Sequence, residues 1–200
     1  EEVVRDRLTY FVPILEDKIP ASLKQATCID IGCGRGEWIG LLKEHGYQSS
    51  GIDLNEENVS TCKAKGLDAR TGDGISWLKQ LRSNSVALVS SFHVVEHMTL
   101  TQLNSLLMEA LRCLAPGGLL LLETPNPENL ITAANRFYTD PSHRHPIPPD
   151  LLEFLLKYKG FENIEIHRLH PADYSFDDAT VLAEKLNSLL FGPQDYAVLA

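Results

Sequence analysis

Three acids and three glycines in the first half of the chain are of types and spacings that could do chemistry. The string Asp30-Ile31-Gly32-Cys33-Gly34-Arg35-Gly36 ends an apolar run and carries glycines at 32, 34 and 36. A glycine has no Cβ, so its backbone can approach a ligand closely. The helix expected to follow offers unpaired N–H groups at the same place. A second acid, Asp53, ends the run Gly51-Ile52-Asp53-Leu54-Asn55. It falls roughly 20 residues on, where a nucleotide-binding β-α-β unit puts its ribose-binding carboxylate. The third acid stands in Gly72-Asp73-Gly74-Ile75. Two ligand classes compete for this arrangement. A dinucleotide asks for G-x-G-x-x-G, whose third glycine would fall at 37, and that residue is Glu37. An acid just before the turn is awkward for a pyrophosphate and welcome to a ligand with an amine and a sulfonium.

The elements that must position these residues follow from periodicity. Val4, Leu8, Phe11, Val12 and Leu15 recur at helical spacing and give one or two helices over residues 1–19. Strand one covers about 27–31. A helix follows over 36–44, with Trp38, Leu41, Leu42 and His45 on its inner face. Strand two spans 48–53. Asn55 caps a helix that runs to Lys65, and 67–70 is a short third strand. Asp73 caps a helix over 75–81. The near-continuous apolar run 86–92 suits a central parallel strand. Thr99 and Gln102 form a capping box, ahead of a helix face made of Leu100, Leu103, Leu107, Ala110, Leu111 and Leu114. Strand five covers 119–123, a helix follows Pro149, strand six spans 163–167, a helix lies near 179–189, and strand seven spans 195–199.

Together, Asp30–Gly36 and Gly51-Ile52-Asp53 resemble the first two motifs of class I S-adenosylmethionine-dependent methyltransferases. The Leu-x-Pro-Gly-Gly turn at 114–118 resembles the same pattern. The resemblance implies an α/β, Rossmann-like, seven-stranded and mostly parallel sheet of order 3-2-1-4-5-7-6, with strand 7 antiparallel and helices on both faces. It implies S-adenosylmethionine as cofactor and S-adenosylhomocysteine as product. Asp30 would then hold the methionine amine, and Gly32 and Gly34 would admit the methionine part and ribose. Asp53 would take both ribose hydroxyls, and Asp73 with Gly74 would meet the adenine amino group, although Asp73 as a plain helix cap is the alternative. Leu54 and Ile75 would sandwich the adenine, and Phe92 or His93 would line the sulfonium side.

Methyl transfer to an alcohol needs the hydroxyl proton removed. His93-Val94-Val95-Glu96-His97 follows strand four, on the expected acceptor side. His97 is the first choice of base, His93 the second, and Glu96 would orient His97 or contact the acceptor. Ubiquinone-type O-methyltransferases, which this segment resembles in an acid-poorer form, support an acceptor-side role. H-x-x-E-H also spells an inverted zinc-protease pattern, but that needs a helix. No metal ligand set is assigned, and a loosely held Mg²⁺ at the hydroxyl is kept as an alternative. The segment Phe137–Pro146, with 124–127 and 191–196, resembles methyltransferase domains of polysaccharide and O-antigen assembly. Tyr138 would stack on a sugar, and Asp140 and His143 would bond its hydroxyls. A ubiquinone-like small-molecule acceptor and a non-catalytic cofactor-binding domain are the competing readings. Glu37 speaks against a nicotinamide dehydrogenase.

The chain has 200 residues, 44% apolar and 22% charged, with 18 basic residues against 27 acidic and a net charge of −9. That balance argues against nucleic acid or an anionic membrane as main partner, and no apolar run is long enough to span a bilayer. The four cysteines lack C-x-x-C spacing and fit a reducing cytoplasm. The start without Met suggests a piece of a longer protein, fused to or complexed with glycosyltransferase machinery if the polysaccharide resemblance holds. Residues 1–26 read as an N-terminal helical cap, and 27–200 as the methyltransferase domain with acceptor-side insertions at about 124–149 and 170–192.

Overall fold

The computed structural model describes residues 2–177 and 180–200. Its framework is a seven-stranded sheet of order β3-β2-β1-β4-β5-β7-β6. The strands are β1 (Thr27–Ile31), β2 (Ser49–Asp53), β3 (Ala69–Thr71), β4 (Val86–Phe92), β5 (Leu114–Pro125), β6 (Glu165–Leu169) and β7 (Asp195–Leu199). β1 pairs in parallel with β2 and β4, β2 in parallel with β3, and β6 antiparallel with β7. The order and the reversed seventh strand are those expected. The helices are α1 (Glu2–Thr9), α2 (Val12–Lys18), α3 (Glu37–Glu44), α4 (Glu56–Ala64), α5 (Gly74–Gln80), α6 (Leu100–Cys113), α7 (Leu130–Ala134), α8 (Pro149–Lys159) and α9 (Val181–Leu186). The chain divides into two compact units, Glu1–Phe92 with Asn104–Leu121, and His93–Leu103 with Leu122–Ala200. No helix among the described residues is long and apolar enough to cross a membrane.

The first unit is built on β4, whose residues Val86 to Ser91 are all buried. Each fully buried Val or Leu there contributes about 1.5–3 kcal/mol relative to exposure. Asn55 caps α4 by accepting from Glu57 N, and Asp73 caps α5 by accepting from Ser76 N. Phe11 packs on Trp38 and Phe92, with ring centroids 6.4 and 5.6 Å away. That contact fixes the N-terminal helices against the unit's core. All four cysteines are buried free thiols, and burial raises the pKa of each, so they act as small packing groups.

The second unit is held by polar ties as much as by apolar ones. The buried Tyr196 hydroxyl donates to Ile147 O at 2.8 Å. Asn129 caps α7 through its Oδ1, and its Nδ2 donates to Gly192 O at 2.9 Å. Arg168 grips Glu128 with Nε and Nη2 at 2.7 and 2.9 Å.

The structure departs from the sequence expectations at several places. β6 starts at Glu165, because Asn163 adopts the left-handed φ of 52° and cannot extend a strand. His45 is exposed at the end of α3, and Tyr47 takes the buried position beyond it. Leu100 is exposed, and Leu106 joins the buried face of α6. β5 begins at Leu114, ahead of the Pro-Gly-Gly turn. Thr180 accepts from Ala183 N, so α9 starts at Val181, and one π-helical turn, Asn187–Phe191, follows it. Ala179 lies outside the described residues.

Candidate active site

In the first unit the glycine turn is a left-handed curl that glycine adopts without strain, with φ of 73°, 52° and 86° at Gly32, Gly34 and Gly36. Gly36 is required by packing. A Cβ there would lie 2.6 Å from Leu67 Cδ1 and 2.9 Å from Cys62 Sγ. Gly34 is different: a Cβ would meet nothing nearer than Glu37 Oε2 at 4.0 Å. The space at Gly34 is therefore open to a ligand, and its N–H donates to Asp53 Oδ2 at 2.8 Å. Asp53 Oδ1 accepts from Asn55 N at 2.8 Å and from Asn58 Nδ2 at 3.4 Å. A carboxylate has about four acceptor sites, so Asp53 is oriented by these bonds without being exhausted.

Asp30 ends β1 only 2% exposed. The Trp38 indole N–H donates to Ser90 Oγ at 3.0 Å, and the Ser90 hydroxyl donates to Asp30 Oδ1 at 2.8 Å. Burial pushes the Asp30 carboxyl up to about 8. The Ser90 hydrogen bond opposes that rise, and the neighbouring Asp53 and Glu37 charges add to it. Asp30 is thus an acid without a cation. Leu54, which follows Asp53 in the sequence, is 78% exposed, and Ile75 is buried. Gly74 is pressed on Ile31, whose Cγ2 would lie 2.5 Å from an added Cβ. Phe92 sits edge-on to Trp38, with centroids 5.3 Å apart.

In the second unit the segment after β4 turns through a 3₁₀ helix, Val95–His97. His93 takes a left-handed φ of 54°. Its Nδ1 lies 3.4 Å from Glu96 Oε1, and its Nε2 lies 3.3 Å from Glu123 Oε1 and 4.0 Å from Asp195 Oδ1. Partial burial pulls the imidazole down, but the Glu123 and Glu96 carboxylates and the Asp195 charge outweigh it and push it up to about 10. His93 is a fixed cation at neutral pH, although its side chain is 44% exposed. His170, also left-handed at φ 56°, extends the network with Nδ1 at 2.9 Å from Asp195 Oδ2. Glu96 is fully buried and accepts from Thr124 Oγ1 at 3.0 Å. Its side chain serves His93 and Thr124, while Ser142 is the hydrogen-bond partner of the His97 ring.

That ring is half-buried. Ser142 Oγ lies 3.0 Å from His97 Nδ1, and no hydrogen bond is made at Nε2 among the described residues. The His143 ring lies 4.7 Å from it and 4.6 Å from Phe137. Arg144 ties the loop to the turn, donating through N to Glu96 O and through Nε to His97 O, each at 2.9 Å. Asp140 is exposed and caps this turn, and Tyr138 is 63% exposed.

Two groups could approach a cation: Glu96, His97 and His143, and His93, Glu123 and Asp195, each with ligand atoms within 4.8 Å of one another. The first offers two imidazoles and one carboxylate, a borderline set suited to ions such as Zn²⁺. Mg²⁺ prefers oxygen donors, so these residues do not fit it. The second group already holds its cation, the His93 imidazolium.

The chain and its fold have counterparts among known proteins. A family model described as a methyltransferase domain matches residues 1–166. A crystal structure of an S-adenosylmethionine-dependent methyltransferase from Archaeoglobus fulgidus is 34% identical, covers 100% of this chain and 93% of its own, and superposes with a TM-score of 0.88. The chain belongs to the S-adenosylmethionine-dependent methyltransferase family. A probable methyltransferase of that kind from Mycolicibacterium smegmatis is 30% identical over 136 residues, 67% of this chain. The chain spans about half the length of that curated relative, 51%. The fold is shared by phosphoethanolamine N-methyltransferase 2 of Haemonchus contortus, solved with phosphomonomethylethanolamine and S-adenosylhomocysteine. It is 18% identical with a TM-score of 0.71, and the match covers 96% of this chain and 52% of that one.

For a methyltransferase domain, the first unit brings together Asp30, Gly32, Gly34 and Asp53 around one turn. The second gathers His93 and Glu96 in one polar network, and His97, Asp140 and His143 in another. Sequence reasoning missed Ser90 and Trp38 beneath Asp30, and Asp195, His170 and Ser142 in the second unit. A signal existed for two of them. His170 directly follows a parallel strand, and Asp195 opens an antiparallel one, so the expected strand order places both at the carboxyl ends of the parallel strands.

Proposed function

We propose that this domain methylates a hydroxyl group of a polar, sugar-like acceptor, with His97 as general base. The observation that carries the reading is the state of the His97 ring: it is held at Nδ1 by Ser142, with Nε2 left unengaged. Its surroundings favour a hydroxylated acceptor over a flat apolar one, since Tyr138 offers an exposed ring for stacking and Asp140 and His143 offer polar groups.

When bound, S-adenosylmethionine supplies an electrophilic methyl group, which passes to an acceptor oxygen while the S–CH₃ electron pair returns to sulfur. Asp30 holds the amine of that cofactor, and the hydrogen-bond chain from Trp38 through Ser90 keeps the carboxylate in place. Asp53 orients ribose hydroxyls, Asp73 meets the adenine amino group while still capping α5, and Leu54 and Ile75 flank the base. Phe92 lines the sulfonium side. The His93 imidazolium is poorly suited to face a sulfonium, and its one positive charge offsets part of the charge of Glu96, Glu123 and Asp195. His97 Nε2 takes the hydroxyl proton as the O–CH₃ bond forms. A positioned base contributes about 10²–10⁴-fold.

His97→Ala should therefore lower turnover by about that factor and leave cofactor affinity nearly unchanged. A radiolabelled methyl assay against polysaccharide, lipid and small-molecule fractions, with calorimetry for cofactor binding, tests this. Activity within a few-fold of the parent would remove His97 as the base. Labelling confined to small aromatic acceptors would remove the sugar-like acceptor.

A further inference from the structure

We propose that Ser142 and Asp140 are positioning residues that lock His97 in the tautomer with a bare Nε2. This rests on the reading of His97 as proton acceptor, and it follows from counting protons.

Ser142 has one hydroxyl proton and two neighbours that want it. Its Oγ lies 2.5 Å from Asp140 Oδ1 and 3.0 Å from His97 Nδ1. The Ser142 hydroxyl and backbone N–H together hold the Asp140 carboxyl below the usual carboxylate range. Asp140 is a solvent-exposed carboxylate, ionised at neutral pH as carboxylates ordinarily are, and it can only accept. Were the hydroxyl proton turned toward His97, oxygen lone pairs would confront one another at 2.5 Å. The proton goes to Asp140, so Ser142 Oγ must accept from His97, and Nδ1 must carry the ring proton. A neutral imidazole has one such proton, which leaves Nε2 with its lone pair.

The backbone supports the lock. Asp140 Oδ1 also accepts from Ser142 N at 2.8 Å, closing a turn across Pro141. The two Arg144 bonds to the carbonyls of residues 96 and 97 hold the loop on the His97 turn.

The same count applies to His143. Its Nδ1 lies 2.6 Å from Phe137 O, which can only accept, so Nδ1 is protonated, and in the neutral ring the lone pair sits on Nε2, 4.0 Å from Asp140 Oδ2. Neither neutral ring presents a donor at Nε2. Such a pair selects an acceptor molecule that itself donates, such as a hydroxyl, over a carbonyl. When His97 Nε2 gains a proton, the imidazolium keeps its Nδ1–H on Ser142, and Asp140 balances the charge through the shared hydroxyl.

Two-bond ¹H–¹⁵N correlation spectra of histidine-labelled protein, under mildly alkaline conditions and with His97→Gln to assign the signal, test this without any acceptor. Wild type should show a pyrrole-type Nδ1 and a pyridine-type Nε2 at His97. Ser142→Ala should move the ring toward the Nε2–H tautomer that an isolated histidine side chain favours, and Ser142→Thr should restore the wild-type pattern. Turnover of Ser142→Ala should fall about tenfold or more with cofactor affinity unchanged. An Nε2–H tautomer in wild type, or an unchanged ring in Ser142→Ala, overturns the proposal. The wild-type spectrum decides it even where the variant does not fold. The locked tautomer together with no transfer to any hydroxyl would sink the proposed function and leave this inference standing.

Discussion

Asp30 in the first unit and His93 in the second are both ionisable groups that the fold shifts upward, and their surroundings are opposites. Asp30 is buried with neutral hydrogen-bond partners, and two further acids lie near enough to raise it. His93 is gripped by Glu96 and Glu123, with Asp195 close by. The first arrangement has a buried acid and no cation. The second has its cation built in. The difference teaches which region is prepared for a charged ligand: a fold keeps an uncompensated acid when something it binds completes the pair. On the proposed reading, a cofactor with an amine and a sulfonium answers Asp30. The carboxylates around His93 already have a cation among them, so on the proposed reading that network is structural support for the turn that carries His97.

The largest effect should come from breaking the first arrangement. Asp30→Asn keeps an acceptor for Ser90 but removes the charge, and S-adenosylmethionine affinity should fall about 10- to 100-fold, as for loss of a charged hydrogen bond. Titration calorimetry checks this. An unchanged affinity would mean that the amine is held elsewhere.

Next in size is the second arrangement. His93→Gln leaves Glu96 and Glu123 buried without their cation. Allowing for solvent at the exposed side of the ring, the cost should be about 1–2 kcal/mol, or a melting temperature lower by about 2–8 °C in a domain of this length. Cofactor affinity should hardly change. A loss of affinity as large as that of Asp30→Asn would merge the two regions into one electrostatic site.

The most discriminating effect is in pH dependence. The His93 pKa is raised above its unfolded value, so its stabilisation is complete below about 6.5 and is lost as pH rises through about 10. That decline should vanish in His93→Gln. Asp30 is also raised, but as an acid: the folded protein binds its proton more tightly, so stability falls as pH rises from about 4 to about 8 and stays lowered above. Asp30→Asn should therefore match wild type near pH 4 and exceed it most above pH 8. Thermal melts across pH separate the two windows.

The contrast also explains what could be read in the sequence. The first unit's site is local: a strand end, a turn and a cap, each written in a few adjacent residues, so Asp30, Gly34 and Asp53 were legible and the strand order followed. What lay beneath Asp30 was not, because Ser90 comes from a different strand and its apolar neighbours made it look like filler. In the second unit the chemistry is assembled from distant segments. Glu96 looked like a group for His97 because it is adjacent in sequence, but a fully buried carboxylate takes the partners that compensate it, and those come from residues 93 and 124. Ser142 gained its place from an Asp-Pro-Ser turn whose direction no periodicity records. β6 slipped by two residues because a single left-handed Asn163 was invisible to pattern reading.

The measurement closest to the central claim is the number of protons released when S-adenosylmethionine binds, taken by calorimetry at pH 7 in buffers of different ionisation enthalpy. With Asp30 near 8 before binding, pairing with an amine should ionise it. Wild type should then release close to one proton more than Asp30→Asn. Equal proton counts in the two proteins would contradict the account, because Asp30 would then be neither waiting for a cation nor meeting one.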